Sequence, residues 1–367
     1  MHVNAGTTRQ LSVWCADWPV VALERPSHLP VAVIRSHRVV AVGPVARADG
    51  VVPGLRRREA QTRCPQVELH TADPARDARV FEVVLSAMEQ VAPHVELGPP
   101  GRCAIPVTGA ARLHGGERGL AAAVLQHVQR ALVDGPGGGR VPCAVGVGVA
   151  DGPRAAALAA ETAVDRNGGR SPLVVPAGES GKFLAPLDVR RLHPDPADPT
   201  CATLRRLGVR TVARFAALPA ADVLERFGVD GWALHRIATG TEDWSPELVE
   251  PPSEMSVAVD LDPPLDRIDQ AAFVVKSLAH ELLVALAAQS LLAARFLVTV
   301  VTEGGAVLER SWRHEGALTA AAVAQRVRWQ LDGWLRTGVG ATGALGPVVR
   351  LEVRPEGLRP TGGTQLE

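Results

Sequence analysis

LSVWC (11–15) is a mostly apolar, strand-like run, and PVAVIRSHRVVAVGPVA (30–46) sets two valine-rich apolar runs on either side of the polar Ser36-His37. Such β-branched runs, broken by short polar turns, predict strands. LSVWCADWPVVALE (11–24) turns helical after Pro19, and residues 50–70 read as a small helical segment punctuated by Pro53, Gly54 and Pro65. The apolar spacing then lengthens. Asp73-Pro74 predicts a helix start that runs to about Gln90, with the proline in the first turn. VELGPPGRCAIPVT (95–108) predicts two short strands flanking Gly98-Pro99-Pro100-Gly101. A helix over 117–133, a flexible GPGGGR connector (135–140), a buried strand CAVGVGVA (143–150) and a helix PRAAALAAETAV (153–164) follow. Strand, helix, strand, strand, helix, strand is the order of a ferredoxin-like βαββαβ sheet, with residues 25–71 inserted after its first strand.

Beyond residue 175 the pattern changes. LRRLGVRTVARFAALPAADVLERFG (204–228) predicts a helix, a tight turn at Gly208-Val209, a helix, and a second short helical pair after Pro219. PPSEMSVAVDLDPP (251–264) reads as a proline-containing linker. A second small α+β domain follows: helix 269–290, strands 295–302 and 306–313 around Gly304-Gly305, helix 318–336 and strand 347–354. The tail GLRPTGGTQLE has no core-forming pattern and is expected to be disordered.

Composition narrows the class. A chain of 367 residues holds about two to four domains. Apolar residues at 46% and charged residues at 21% suit a globular protein. No charge-free apolar run reaches about 18 residues, so no membrane partner is expected. MHVNAGTTRQ lacks a basic start followed by an apolar stretch, so no secretory signal is expected either. Cys15, Cys64, Cys103, Cys143 and Cys201 are scattered without metal-binding spacing, as free thiols of a reducing cytosol would be. Net charge is zero and the only lysines are Lys182 and Lys276, so phosphate contacts would fall to arginine forks and backbone amides.

Two glycine-rich stretches imitate nucleotide sites and fail. GESGKF (178–183) has Pro176 in place of the first P-loop glycine and Phe183 in place of the Ser/Thr magnesium ligand. GVGVAD (146–151) lacks the third glycine of a dinucleotide fingerprint. No cofactor is expected. The 204–228 segment says more. A glycine turn between two short helices, with Thr211 at the second start, can seat a DNA phosphate, and Arg205, Arg206 and Arg210 favour that reading. A plain helical hairpin with Leu207, Val209 and Val212 in its core is the alternative.

The stretches WCADWPVVALE, GPVARADGVVPGLRRREAQTRCP, VTGAARLHGG, VGVADGPRAAALAA, LRRLGVRTVARFAALP and DPPLDRI, in this order and spacing, resemble the Y-family translesion DNA polymerases over roughly residues 11 to 354. The resemblance is greatest to the ImuB-like branch, polymerase-shaped subunits of a bacterial mutagenesis complex. It implies an α+β right-hand architecture: a ferredoxin-like palm (11–24 and 72–170), small fingers (25–71), and a helical thumb (171–250) with a helix-hairpin-helix. An α+β little finger (265–354) follows the 251–264 linker, and the tail is 355–367.

Nucleotide addition requires two magnesium ions clamped by carboxylates, because a hard cation needs anionic oxygen. The resemblance puts the shared metal ligand, the first acid of Asp-x-Asp, at Cys15 and the second acid at Asp17. It puts the paired acids of the palm hairpin at Gly101 and Arg102. The aromatic residue that screens the incoming sugar matches Val20, the triphosphate tyrosine matches Pro44, its arginine partner is kept as Arg47, and the triphosphate lysine matches Ala157. Glu96 and Asp17 are the nearest acids that could substitute. Arg102 admits two readings, a cation in the metal cradle or a solvated loop residue. Arg47 could bind DNA phosphate or face solvent. In the little finger, Arg310, Ser311 and Arg313 match the strand that runs along DNA, with Arg326 and Arg328 on the next helix. Over 255–354 ten Arg/Lys balance ten Asp/Glu, so DNA binding should be weak and salt-dependent.

These residues lead us to expect a non-catalytic, cytoplasmic and nucleoid-associated scaffold of translesion synthesis. Its partners by resemblance are DNA, an error-prone replicative-type polymerase, a RecA-like accessory protein and the sliding clamp. ImuB-like proteins continue past the little finger, and TQLE is not a Gln-Leu-x-Leu-Phe-type clamp peptide, so a truncated chain is expected. The rivals are an active polymerase using displaced carboxylates and a protein-interaction module without DNA contact. A glycosylase built on the hairpin lacks a suitably placed Asp or Lys.

Overall fold

Leu11 and Val13 are fully buried in the first strand, β1 (Arg9–Cys15), and the fold is laid down on both sides of it. The chain is described as a computed structural model covering residues 9–92, 94–134, 143–195, 197–242, 255–266, 268–313, 318–337 and 346–360. The GPGGGR connector, residues 243–254 and residues 361–367 of the expected tail lie outside the described residues.

After β1 the chain leaves the main sheet to build a three-stranded one. Strands β2 (Val31–Arg35), β3 (Arg38–Val42) and β4 (Glu68–Thr71) lie in the order β3-β2-β4 over a small core of Ala32, Val39, Ala46 and Ala60. The chain returns through the helix Pro74–Glu89, whose start is fixed by Asp73: its carboxylate accepts from the amides of Ala75 and Arg76, both at 3.1 Å. Strands β5 (Glu96–Leu97) and β6 (Arg102–Pro106), the helix Glu117–Asp134, β7 (Val145–Asp151) and the helix Pro153–Asn167 complete the unit, with β8 (Leu173–Val174) at the edge. The order β7-β1-β6-β5 is ferredoxin-like, as the sequence predicts. GVGVAD is strand β7. A Cβ on Gly146 or Gly148 would run into the backbone of Ala160, so these glycines serve helix-on-strand packing and not a nucleotide.

Short helices make the thumb: Ser180–Leu184, Pro199–Arg206, Val212–Ala216, and Ala220–Thr239 with a break at Gly228. Leu204, Val212 and Phe215 are fully buried in a core shared with Ala150 of β7 and with Ala155, Leu158 and Ala159 of the Pro153–Asn167 helix.

The second α+β unit corrects two expectations. Residues 257–265 are not linker but an edge strand, β9 (Val257–Leu265), and residues 355–360 of the expected tail extend the last strand, β12 (Val348–Pro360). With β10 (Leu291–Thr302) and β11 (Val307–Arg313) the order is β11-β10-β12-β9. Valine alternation along 257–261 carried the strand signal, and the prolines that masked it, Pro263 and Pro264, sit in the register shift between the paired Asp260 and Leu265 of an edge strand, where no ladder amide is required. The two sheets join. Ser311 and Trp312 of β11 pair in parallel with Glu96 and Leu97 of β5, making one nine-stranded sheet over one continuous core. Among the described residues, no helix is long and apolar enough to cross a membrane.

Candidate nucleotide site and nucleic-acid interface

Cys15 ends β1, and its amide donates to the carbonyl of Gly101 at 2.8 Å, while Arg102 pairs with Trp14 across the ladder. The structure thus gathers Cys15, Gly101 and Arg102 at one end of the palm sheet. What they offer there is not a cation cradle. The Cys15 thiol shares a hydrogen bond with Cys143 and is fully buried, and both effects raise its pKa well above the usual thiol range. Neighbouring Cys103 is pushed up to about 12 by burial. Both shifts favour the neutral thiol, and sulfur is in any case a poor ligand for a hard cation such as magnesium. At Gly101 the backbone sits at φ +96°, and a Cβ there would lie 2.6 Å from Trp18 Cβ.

Arg102 is not a solvated loop residue. Its guanidinium meets Glu161 at 2.9 Å and lies 5.4 Å from the centre of the Trp14 ring. Glu161, on the Pro153–Asn167 helix, also takes Arg191 at 2.7 Å. Burial pushes the Glu161 carboxyl up, but Arg102, Arg154 and Arg191 outweigh it and hold the pKa below its ordinary value. The half-buried Glu161 carboxylate is therefore already neutralised. Two magnesium ions do not fit this set of residues, and among the described residues no group of three or more His, Cys, Asp or Glu is placed to hold a metal.

The adjoining pocket is closed by its own side chains. Asp17, at φ 50°, starts the helix Trp18–Val21; one carboxylate oxygen accepts from the Val42 amide at 3.0 Å and the other pairs with Arg47. The acid and the arginine that the resemblance retains are thus spent on each other, tying palm to fingers. Val20 is fully buried against Val31, Val33 and Ala41. Pro44 opens the helix Pro44–Ala48 at the surface, and Ala157 is half-buried with no charge to give a triphosphate.

The thumb hairpin offers an open cationic edge. Gly208, at φ +85°, turns the chain after Pro199–Arg206, and Thr211 caps the next helix by accepting from the Arg214 amide at 3.4 Å. Leu207, expected inside if the hairpin were only packing, is 51% exposed, and Arg206, Arg210 and Arg214 are exposed beside it.

The little finger overturns an expectation. Arg310 and Arg313 do not lie along an open face. Arg310 is 4% exposed, 2.5 Å from Glu82 and 2.8 Å from Glu89, with its guanidinium 5.6 Å from the Trp334 ring centre. Arg313 pairs with Glu96, which also takes Arg295 at 2.5 Å and the Gln10 amide at 2.9 Å. Ser311 donates to Glu356 at 3.1 Å. Alternation along β11 puts Arg310 and Arg313 on opposite faces, and the β5–β11 pairing brings each of them to palm carboxylates. Burial raises Glu96, and Arg313 with Arg295 more than reverse it, so its pKa ends below the ordinary value and the acid is unavailable to a metal. Burial also raises Glu82, against the pull of Arg310. Sequence reading missed Glu82, Glu89, Glu161 and Arg295. Glu82 and Glu89 are seven residues apart, two turns along one helix face, and that spacing was the available signal.

The profile of the impB/mucB/samB family matches residues 18–161, the stretch that carries the fingers and most of the palm. The chain is 26% identical over 238 residues to DNA polymerase IV of Dehalococcoides mccartyi strain CBDB1, covering 65% of this chain and 55% of that one. It is 24% identical over 237 residues to DNA polymerase IV 1 of Mesorhizobium japonicum, covering 65% and 51%. The chain spans about half the length of the curated relatives it matches. Among solved structures, DinB from Sulfolobus solfataricus aligns over 95% of this chain and 98% of its own, at TM-score 0.51 and 16% identity. The chain has the Y-family polymerase fold, and its residues 18–161 match the impB/mucB/samB family. An insertion ternary complex of Dbh DNA polymerase aligns over the same shares at TM-score 0.52 and 15% identity, so the Y-family fold extends past the profile match into thumb and little finger.

Proposed function

We propose that this Y-family chain is a non-polymerising DNA-damage-tolerance protein, closest in kind to the ImuB-like branch, that holds a translesion assembly on DNA without performing synthesis. The observation that carries this reading is the Cys15–Gly101–Arg102 corner. A protonated thiol, a glycine with no room for a side chain and an arginine already paired with Glu161 stand where phosphoryl transfer needs clustered carboxylates. The proposed partners are DNA, an error-prone replicative-type polymerase, a RecA-like accessory protein and the sliding clamp. Such a scaffold works through effective concentration: a tethered polymerase rebinds a stalled primer end without high affinity of its own. Because Arg310 and Arg313 are engaged within the protein, duplex contact falls mainly to the thumb hairpin, and binding is weak. The site of action on this reading is the bacterial cytoplasm, at the nucleoid.

Primer extension tests it. Purified chain with magnesium or manganese is expected to give no template-dependent incorporation. Incorporation that disappears in Asp17→Asn or Glu96→Gln would establish the rival reading, an active polymerase using displaced acids.

A further inference from the structure

Net charge is zero over the whole chain but not over its parts. Residues 25–71 carry eight arginines against three acids, a formal +5, which leaves −5 on the remainder. The fold concentrates this excess at one tip. The β2–β3 turn, Arg35-Ser36-His37-Arg38, is stitched to the start of the helix Arg57–Arg63: Arg38 bridges Arg56, and the Arg57 amide donates to the His37 carbonyl at 3.1 Å. Arg35, Arg38, Arg56, Arg57 and Arg58 are all exposed there.

The local acids do not answer them. Glu59 turns back to accept from the Arg56 backbone amide at 2.7 Å. The anion that Arg35 senses, Asp77, is already held by Arg76 at 2.6 Å. Arg38 reaches only the Gly54 carbonyl, at 2.9 Å. The arrangement also works against folding. Arg35 and Arg38 face each other across the hairpin, and like charges directly opposite are destabilising. The turn between them holds Ser36 at φ 49° and His37 at φ 63°, in a conformation that two-residue hairpins usually fill with Asn-Gly or Gly-Gly. Among the described residues, no ion pair to Arg35, Arg38, Arg57 or Arg58 offsets these costs.

We propose that this fingertip is a binding site for the phosphate backbone of single-stranded nucleic acid, separate from the thumb hairpin. Residues 25–71 contain no Phe, Trp or Tyr, so the tip cannot stack bases on an aromatic ring. Contact is with phosphates alone and independent of sequence. A flexible single strand can wrap such a tip, whereas a duplex, stiff over about 150 base pairs, meets it at few phosphates. The site rests on the reading that the chain works on DNA, and adds where an unpaired template strand is held.

Salt-titrated anisotropy with a labelled mixed-sequence single strand and a blunt duplex, on the full chain, tests the site. The triple variant Arg35→Ala, Arg57→Ala, Arg58→Ala is expected to weaken single-strand binding on the order of tenfold at low salt and to lower the log–log salt slope by about 2, at about 0.7 per lost phosphate contact. Duplex binding should persist, and should fall instead in Arg210→Ala, Arg214→Ala. Arg57→Glu alone, with an unchanged melting temperature, should act in the same direction on the single strand. An unaltered single-strand slope in the triple variant overturns the proposal, as does equal binding of polyglutamate. Absence of binding to either probe by the wild-type chain defeats the DNA reading itself, a different outcome from loss confined to the thumb variant.

Discussion

A carboxylate returned to position 101 meets two obstacles. The backbone there sits at φ +96°, a region that L side chains rarely adopt, and a Cβ would press to 2.6 Å from Trp18 Cβ and 3.3 Å from the Cys15 carbonyl. Trp18 cannot step aside, because its ring nitrogen donates to the Asp77 carbonyl at 2.8 Å and its face meets the edge of Phe81 at 5.0 Å. Even the smallest side chain is therefore costly. Gly101→Ala is expected to lower stability by about 2–4 kcal/mol, combining backbone strain with overpacking. Denaturant unfolding measures it, and a change below about 0.5 kcal/mol, the size of an ordinary surface substitution, contradicts the geometry. The packing of this corner thus disfavours any side chain at position 101, whatever its charge.

At the level of elements, β11 and the Pro74–Glu89 helix act as a pair. Arg310 reaches across to Glu82 and Glu89; Arg310 and Glu82 lose their water in doing so, while Glu89 stays exposed. A buried ion pair is poor evidence of net stabilisation, but removing one member leaves the other charge stranded. Arg310→Ala is expected to cost about 3–5 kcal/mol by that mechanism. Hydrogen exchange should rise in 307–313 and 74–89 together, while the three-stranded fingers sheet stays protected. Exchange confined to β11 would mean that the carboxylates find other partners. The same pairing explains why the DNA-contact expectation for Arg310 and Arg313 did not survive: a strand's faces are readable in its own residues, its neighbour is not.

On the scale of the whole molecule, Glu242 ties three parts together. Its carboxylate accepts from the Arg154 amide of the palm at 3.2 Å, with Arg236 of the thumb and Arg313 of the little finger nearby. Burial is the largest influence and raises the carboxyl from 4.5 to about 7, against the pull of those cations. The folded chain therefore keeps a proton that the unfolded chain releases near 4.5. This contribution to stability is fully present below 4.5, is lost as pH rises, and levels off above about 7. Melting temperatures from pH 5 to 8 should fall more steeply in the wild type than in Glu242→Gln; superimposable profiles would show that this carboxyl titrates normally.

The ferredoxin-like palm could be read from the chain, because its order depends on residue type, short spacing and local period. So could the thumb hairpin, whose turn and cap lie within a few residues. The β9 strand was hidden because its prolines are tolerable only at an edge, and edges exist only once a sheet has formed. The pairing of Arg102 with Glu161, of Arg310 with Glu82 and of Asp17 with Arg47 joins residues 59, 228 and 30 positions apart. No local pattern encodes such distances. Sequence determined which charges the protein has, and the tertiary structure alone decided which of them are already neutralised and which, at the fingertip, are left for a ligand.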